Sequence, residues 1–142
     1  MAIKHKILLN YIKDLSVETP DPESLLIARE RISKYGLKLD ITSRPLKNKM
    51  IEVFTKLIYE DNEKSKKKTY VEMVYSTVVQ IEEENPKKED IRKFILCDLQ
   101  IDIFNNIQKT FINILKLSGF PQVNISGSVD FVKLYEQKIN QK

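Results

Sequence analysis

The feature that most constrains this chain is a single change of hydrophobic period. Up to Ile81 apolar residues alternate with polar ones, and beyond Pro86 they recur at steps of three and four. A period of two belongs to strands with one covered face, a period near 3.6 to helices with an apolar stripe. One such switch in 142 residues predicts an α+β domain, strands first and helices last, with the helices on one side of a sheet.

The alternation comes in four stretches. Residues 7–18, ILLNYIKDLSVE, place Leu9, Tyr11, Leu15 and Val17 on one face and Asn10, Ile12, Asp14, Ser16 and Glu18 on the other. Thr19-Pro20-Asp21-Pro22 ends this strand, because two prolines remove two donors and fix two φ angles. Residues 23–35 read either as a short helix or as an irregular crossover. Gly36 opens a second strand, LKLDIT, with Leu37, Leu39 and Ile41 on one face. After a turn at Arg44–Lys49, residues 50–60 point Ile51, Val53, Leu57 and Tyr59 inward and Glu52 and Lys56 outward. Residues 69–81 set Val71, Met73, Tyr75, Val79 and Ile81 against Tyr70, Glu72, Val74 and Gln80. Largely short connections make the expected sheet four-stranded and antiparallel, with one face packed and one half wet.

Pro86 suits the first turn of a short helix reaching about Leu96. In the long helix that follows, Phe104, Ile107, Phe111, Ile114 and Leu115 form one stripe. Ile101, Ile112 and Leu117 lie off it, so more than half the circumference is apolar. That exceeds what a helix wet on one side needs, and predicts packing against a second copy as well as against the chain itself. Gly119 can take the left-handed conformation at the helix end, and Pro121 prevents continuation. The break is expected to lay Gln122–Ile125 and a last helix back over the domain. Ser128 or Asp130 caps that helix, and Phe131, Leu134, Tyr135 and Ile139 form its stripe.

Residues 1–142 make one domain, large enough to bury a core without staples. The net charge of +4 lies wholly in the first 81 residues, much of it in Lys64, Lys66, Lys67 and Lys68. That run reads as a hairpin tip protected from edge pairing, and it lacks the interleaved aromatics that stack on bases. No apolar run approaches the ~20 residues of a membrane span, and the N-terminus shows no cleavage site of a signal peptide. The single Cys97 excludes an internal disulfide and fits a reducing cytosol. Catalysis finds little to work with. His5, the only histidine, sits near the terminus, Cys97 lies in an apolar run, and three scattered glycines cannot cradle phosphate. No cofactor or metal is expected.

One constellation remains. Asp14 and Glu18 share the polar face of the first strand, and Tyr70 and Glu72 that of the fourth. If these strands belong to one sheet, a sparsely acidic face carrying an aromatic could dock a basic partner. From spacing alone a generic solvated face is the better reading.

The order YIKDLSVETP, KLDI, the long hairpin through EVFTKLIYE and TYVEMVYSTVVQI, and a long helix running into GFPQVNISGSVDFVKLYEQ resembles the SecB family of bacterial protein-export chaperones. The resemblance implies a four-stranded antiparallel sheet with C-terminal helices, assembled as a homotetramer, a dimer of dimers with long helices sandwiched between sheets. It implies an ATP-independent, cytoplasmic holdase for unfolded polypeptides that hands secretory precursors to the SecA ATPase, or a relative dedicated to one antitoxin. By the same resemblance the SecA-contacting positions fall on Asp14, Glu18, Tyr70 and Glu72. The client groove falls on Leu37, Leu39 and Ile41, with Phe104 in a helix-side wall. The family's glycine pair in the fourth strand is here Ser76-Thr77, and its proline-tyrosine-alanine-arginine stretch in the long helix is Asn105–Gln108. Apolar surface suits such work because the hydrophobic effect is not directional and so demands little of the client's sequence.

The competing class is a basic nucleic-acid-binding module. Binding to duplex or single-stranded probes that falls by orders of magnitude between about 50 and 200 mM salt would support it. The expected outcome is no binding in a gel-shift assay even at low salt.

Overall fold

The computed structural model describes residues 3–63, 69–121 and 130–140. Strand β1 (His5–Glu18) is followed by helix α1 (Pro22–Glu30) and a 3-10 turn at Ile32–Lys34. Strands β2 (Tyr35–Pro45), β3 (Met50–Asp61) and β4 (Tyr70–Ile81) come next. Helix α2 (Lys88–Lys93), a π turn at Phe94–Asp98 and helix α3 (Leu99–Leu117) follow, and α4 (Phe131–Asn140) closes the chain. The sheet order is β1-β4-β3-β2, with every pair antiparallel. The α+β order and the antiparallel four-stranded sheet are those the periodicity predicts.

Residues 23–35, left open by the sequence, are mostly helical. Asp21 accepts a hydrogen bond from the Ser24 backbone N–H at 2.7 Å and Pro22 occupies the first turn, so a capping residue and a preset φ start α1 together. Among the described residues, Arg31 closes the crossover by an ion pair to Asp61 at 2.7 Å.

The helical run from Lys88 to Leu117 keeps right-handed helical geometry through both of its internal junctions. The π turn admits an extra residue into the coil. Its effect is to keep Phe94, Ile95, Cys97, Leu99 and Gln100 all buried. The run covers the inner face of the central strands, where Val53 and Leu57 of β3 and Val71, Met73 and Val79 of β4 are fully enclosed. Four of the five stripe residues, Phe104, Ile107, Phe111 and Leu115, are buried. Two of the three apolar residues off the stripe stay in solvent, Ile101 at 58% exposure and Leu117 at 81%. One polar contact is embedded in this interface, where the Gln100 amide donates to Thr55 Oγ1 at 3.0 Å.

Gly119 ends α3 with φ at +94°, and a Cβ there would stand 2.7 Å from a Leu25 methyl. The next residue, Phe120, then packs edge-on between Tyr35 and Tyr59, with ring centroids 5.6 and 5.5 Å away. Asp130 accepts from the Lys133 backbone N–H at 3.0 Å and so starts α4, which returns to the domain through Phe131 against Phe104. The expectations for the Lys64–Lys68 tip, for Gln122–Ile125 and for Ser128 lie outside the described residues.

Three details correct the sequence reading. In β1, register shifts between Ile7 and Leu9 and between Ile12 and Asp14 each insert one extra residue, the second being Lys13. Strict alternation therefore fails. Ile12 joins Leu15 and Val17 on the helix side, while Leu9 and Tyr11 join Asp14, Ser16 and Glu18 on the other. His5 is not a solvated terminal residue. It lies in β1, its Nδ1 is 2.8 Å from the Ile3 carbonyl, and its ring packs 4.5 Å from that of Phe94. Glu52 does point away from the helices, yet it is 3% exposed rather than solvated.

Truncating Phe111 should cost about 3–5 kcal/mol, the range for a large core side chain replaced by alanine. Urea denaturation of Phe111→Ala against the parent chain measures it. Truncating the exposed Leu117 should cost well under about 1 kcal/mol in the same experiment.

Candidate functional site

Strands β1 and β4 pair so that Glu18 lies opposite Tyr70, Ser16 opposite Glu72 and Asp14 opposite Val74. Asp14, Ser16 and Glu18 alternate onto this outer face, and the Lys13 bulge brings Tyr11 to the same side. Asp14, Glu18, Tyr70 and Glu72 therefore form one patch on the sheet surface that none of the described helices covers. Asp14 and Glu18 are exposed, and Tyr70 and Glu72 are half-buried. Glu72 is also held by Lys56 at 3.1 Å, one strand further in.

A network the sequence reading missed lies at the centre of that face. Glu52 accepts hydrogen bonds from Ser76 Oγ at 2.6 Å and from the Tyr11 hydroxyl, and pairs with Arg44 at 2.8 Å. The Ser76 and Tyr11 hydroxyls, followed by Arg44, hold its carboxyl at about 2 instead of 4.5. Ser76 stands where the resemblance implies a glycine, and only a side chain there can make this bond. Beside the network, Lys13 lies 4.8 Å over the Phe54 ring.

The inner face offers a different surface. Leu37, Leu39 and Ile41 line one side of β2, an edge strand, with Ile41 buried and the two leucines half-buried. Between β2 and the start of the helical run lies a cleft of about 370 Å³, lined by Ile41, Thr42, Ser43, Lys88, Ile91, Arg92, Ile95 and Leu96. Phe104 does not reach it as an open wall, being 5% exposed and in edge contact with Phe131, 5.1 Å between centroids. At the opposite edge, Ile12, Leu15 and Val17 of β1 face the helix side and remain exposed. Cys97 is buried in the core beside these elements, and burial pushes its thiol up from 9.0. Among the described residues, no group of three or more His, Cys, Asp or Glu side chains is placed to hold a metal ion. No helix of these residues is long and apolar enough to cross a membrane.

A cleft with an apolar floor beside one sheet edge and a charged face behind it are surfaces suited to binding another chain. The model of the SecB family, preprotein translocase subunit SecB, matches residues 2–142. A SecB-named protein of Pelagibacter ubique is 39% identical over 140 residues, 99% of this chain and 100% of its own. The protein-export protein SecB of Rickettsia bellii is 30% identical over 132 residues, 92% of this chain and 85% of its own. Among solved structures, a SecB-like chaperone of Mycobacterium tuberculosis in complex with an antitoxin peptide shares the fold. Its TM-score is 0.65 at 10% identity, covering 88% of this chain and 91% of that one. The chain belongs to the SecB family, and its role is that of a chaperone in preprotein export.

The Glu52 network makes a pH-dependent contribution. A carboxyl held low in the folded state stabilises it above the ordinary value, and that stability is lost as pH falls from about 4.5 to about 2. Glu52→Gln should lower stability at neutral pH by about 1–3 kcal/mol, since Arg44 loses its charged partner and the one amide oxygen can serve either Arg44 or the two hydroxyls but not both. Urea midpoints across that pH range should then fall less steeply than in the parent chain.

Proposed function

We propose that this chain holds non-native polypeptides without ATP and passes secretory precursors to the SecA ATPase. The observation that carries the reading is the half-covered apolar edge of β2, Leu37 and Leu39, with the cleft next to it whose floor holds Ile41, Ile91, Ile95 and Leu96. Apolar area of this kind binds extended segments in proportion to what they bury, at roughly 25 cal/mol per Å² before association costs. The family is one of non-enzymatic chaperones, and the related M. tuberculosis chaperone was solved with a peptide bound.

The partner surface in this reading is Asp14, Glu18, Tyr70 and Glu72. The shared face of β1 and β4 supports it, because it makes one patch of residues more than fifty positions apart in sequence. The chain acts in the bacterial cytoplasm as a dimer of dimers. That assembly is supported by the apolar residues left exposed among the described residues, Ile101 and Leu117 on α3 and Ile12, Leu15 and Val17 on β1. A chaperone dedicated to one antitoxin would use the same cleft, as the peptide complex of the M. tuberculosis relative suggests.

Light scattering tests the holdase. Stoichiometric amounts should suppress aggregation of an unfolded secretory precursor with no nucleotide present, and native mass spectrometry should give a tetramer. Failure with several clients by a folded tetramer overturns the reading, and tight holding of a single antitoxin alone selects the dedicated version. Leu39→Asp should impair client holding severalfold while leaving SecA binding intact. Asp14→Lys should do the reverse, weakening SecA binding with client holding unchanged. Equal loss of both functions in either variant would point to damaged folding.

A further inference from the structure

The cleft between β2 and the helical run is not purely apolar. Lys88 and Arg92 line it together with Ile41, Ile91, Ile95 and Leu96. The two cations are one helical turn apart on the same side of α2, where like charges repel. Neither has a carboxylate within 4 Å among the described residues, whereas Lys38, Arg44 and Lys56 of the sheet each do. The acidic residues of the same helix, Glu89 and Asp90, do not line the cleft, and the polar groups that β2 contributes, Thr42 and Ser43, are neutral. The site thus joins an apolar floor to two cations that have no ion-pair partner among the described residues.

We infer that this cleft selects client segments that carry a carboxylate beside their apolar residues. The inference rests on the holdase reading and names the substrate class of the same site. The apolar side chains of such a segment cover Ile41, Ile91, Ile95 and Leu96, and its Asp or Glu relieves the repulsion between Lys88 and Arg92. A lysine in the same place meets two like charges at the rim of a low-dielectric surface, where they are only partly screened. Clients are held by apolar burial and ranked by charge. The chain's net charge of +4 adds to the same preference.

The test uses the full chain and three short fluorescent peptides with identical apolar residues, flanked by two Glu, two Gln or two Lys. Anisotropy titrations at low ionic strength should place the Glu peptide about tenfold tighter than the Lys peptide, with Gln between, as two partly exposed charge contacts supply. The spread should collapse in high salt while binding persists. Lys88→Glu with Arg92→Glu should invert the order, and Lys88→Gln with Arg92→Gln should level it. The neutral pair serves if charge reversal disturbs folding, which circular dichroism reports. Equal affinities in the parent chain, or an order unmoved by both pairs of substitutions, would overturn the selectivity and leave the holdase intact. No binding of any peptide would overturn both.

Discussion

The structure depends on one long helical run lying across the two central strands. A helix is about 10 Å wide and strands are about 4.8 Å apart, so one helix covers about two strands. The fully enclosed side chains follow that geometry: Val53 and Leu57 on β3, Val71, Met73 and Val79 on β4, and Phe94, Leu99, Ile107 and Phe111 above them. The inner faces of the outer strands are then only partly covered. Leu37 and Leu39 on β2 stay half-buried, and Ile12, Leu15 and Val17 on β1 stay exposed. A sheet wider than its helical lid necessarily keeps apolar margins, and a chaperone needs such surface.

Among the described residues no helix covers the opposite face, and charge keeps it compatible with water. Lys38 pairs with Glu60 and Lys56 with Glu72, contacts that at the surface are worth little individually. Glu52 differs because it is buried and held by Ser76, Tyr11 and Arg44, so it ties together β1, β2, β3 and β4 at one point. Of the charges left on that face, Asp14 and Glu18 stand beside Tyr70 at the β1 edge, and Asp40 is exposed on β2. The two faces of one sheet thereby carry different tasks, apolar contact on the helix side and polar contact behind.

Several features were legible because they are local. Alternation located β2, β3 and β4, the three-and-four spacing located α3, and Gly119 with Pro121 marked its end. Helix α1 stayed open between helix and crossover, because its start signals, Asp21 and Pro22, read as part of a strand terminator. The Lys13 bulge was not legible. An extra residue in a strand leaves the composition unchanged, and only pairing with β4 shows that the phase slips. The same slip brings Tyr11 to Glu52. The burial of Glu52 needed partners 41, 24 and 8 positions away, and no window along the chain contains them all.

Sequence by itself determined the class of fold, the strand-then-helix order and the excess apolar surface of α3, because hydrophobic period reports which side of each element faces away from water. Only the tertiary structure decided which polar residues are buried and which distant residues share a surface. Lys88 and Arg92 belong to a helix and Ile41 to a strand more than forty positions earlier, and their meeting in one cleft follows from how the helical run crosses the sheet. Pairing and packing are long-range, and a one-dimensional pattern carries the period of an element but not the neighbour it will meet.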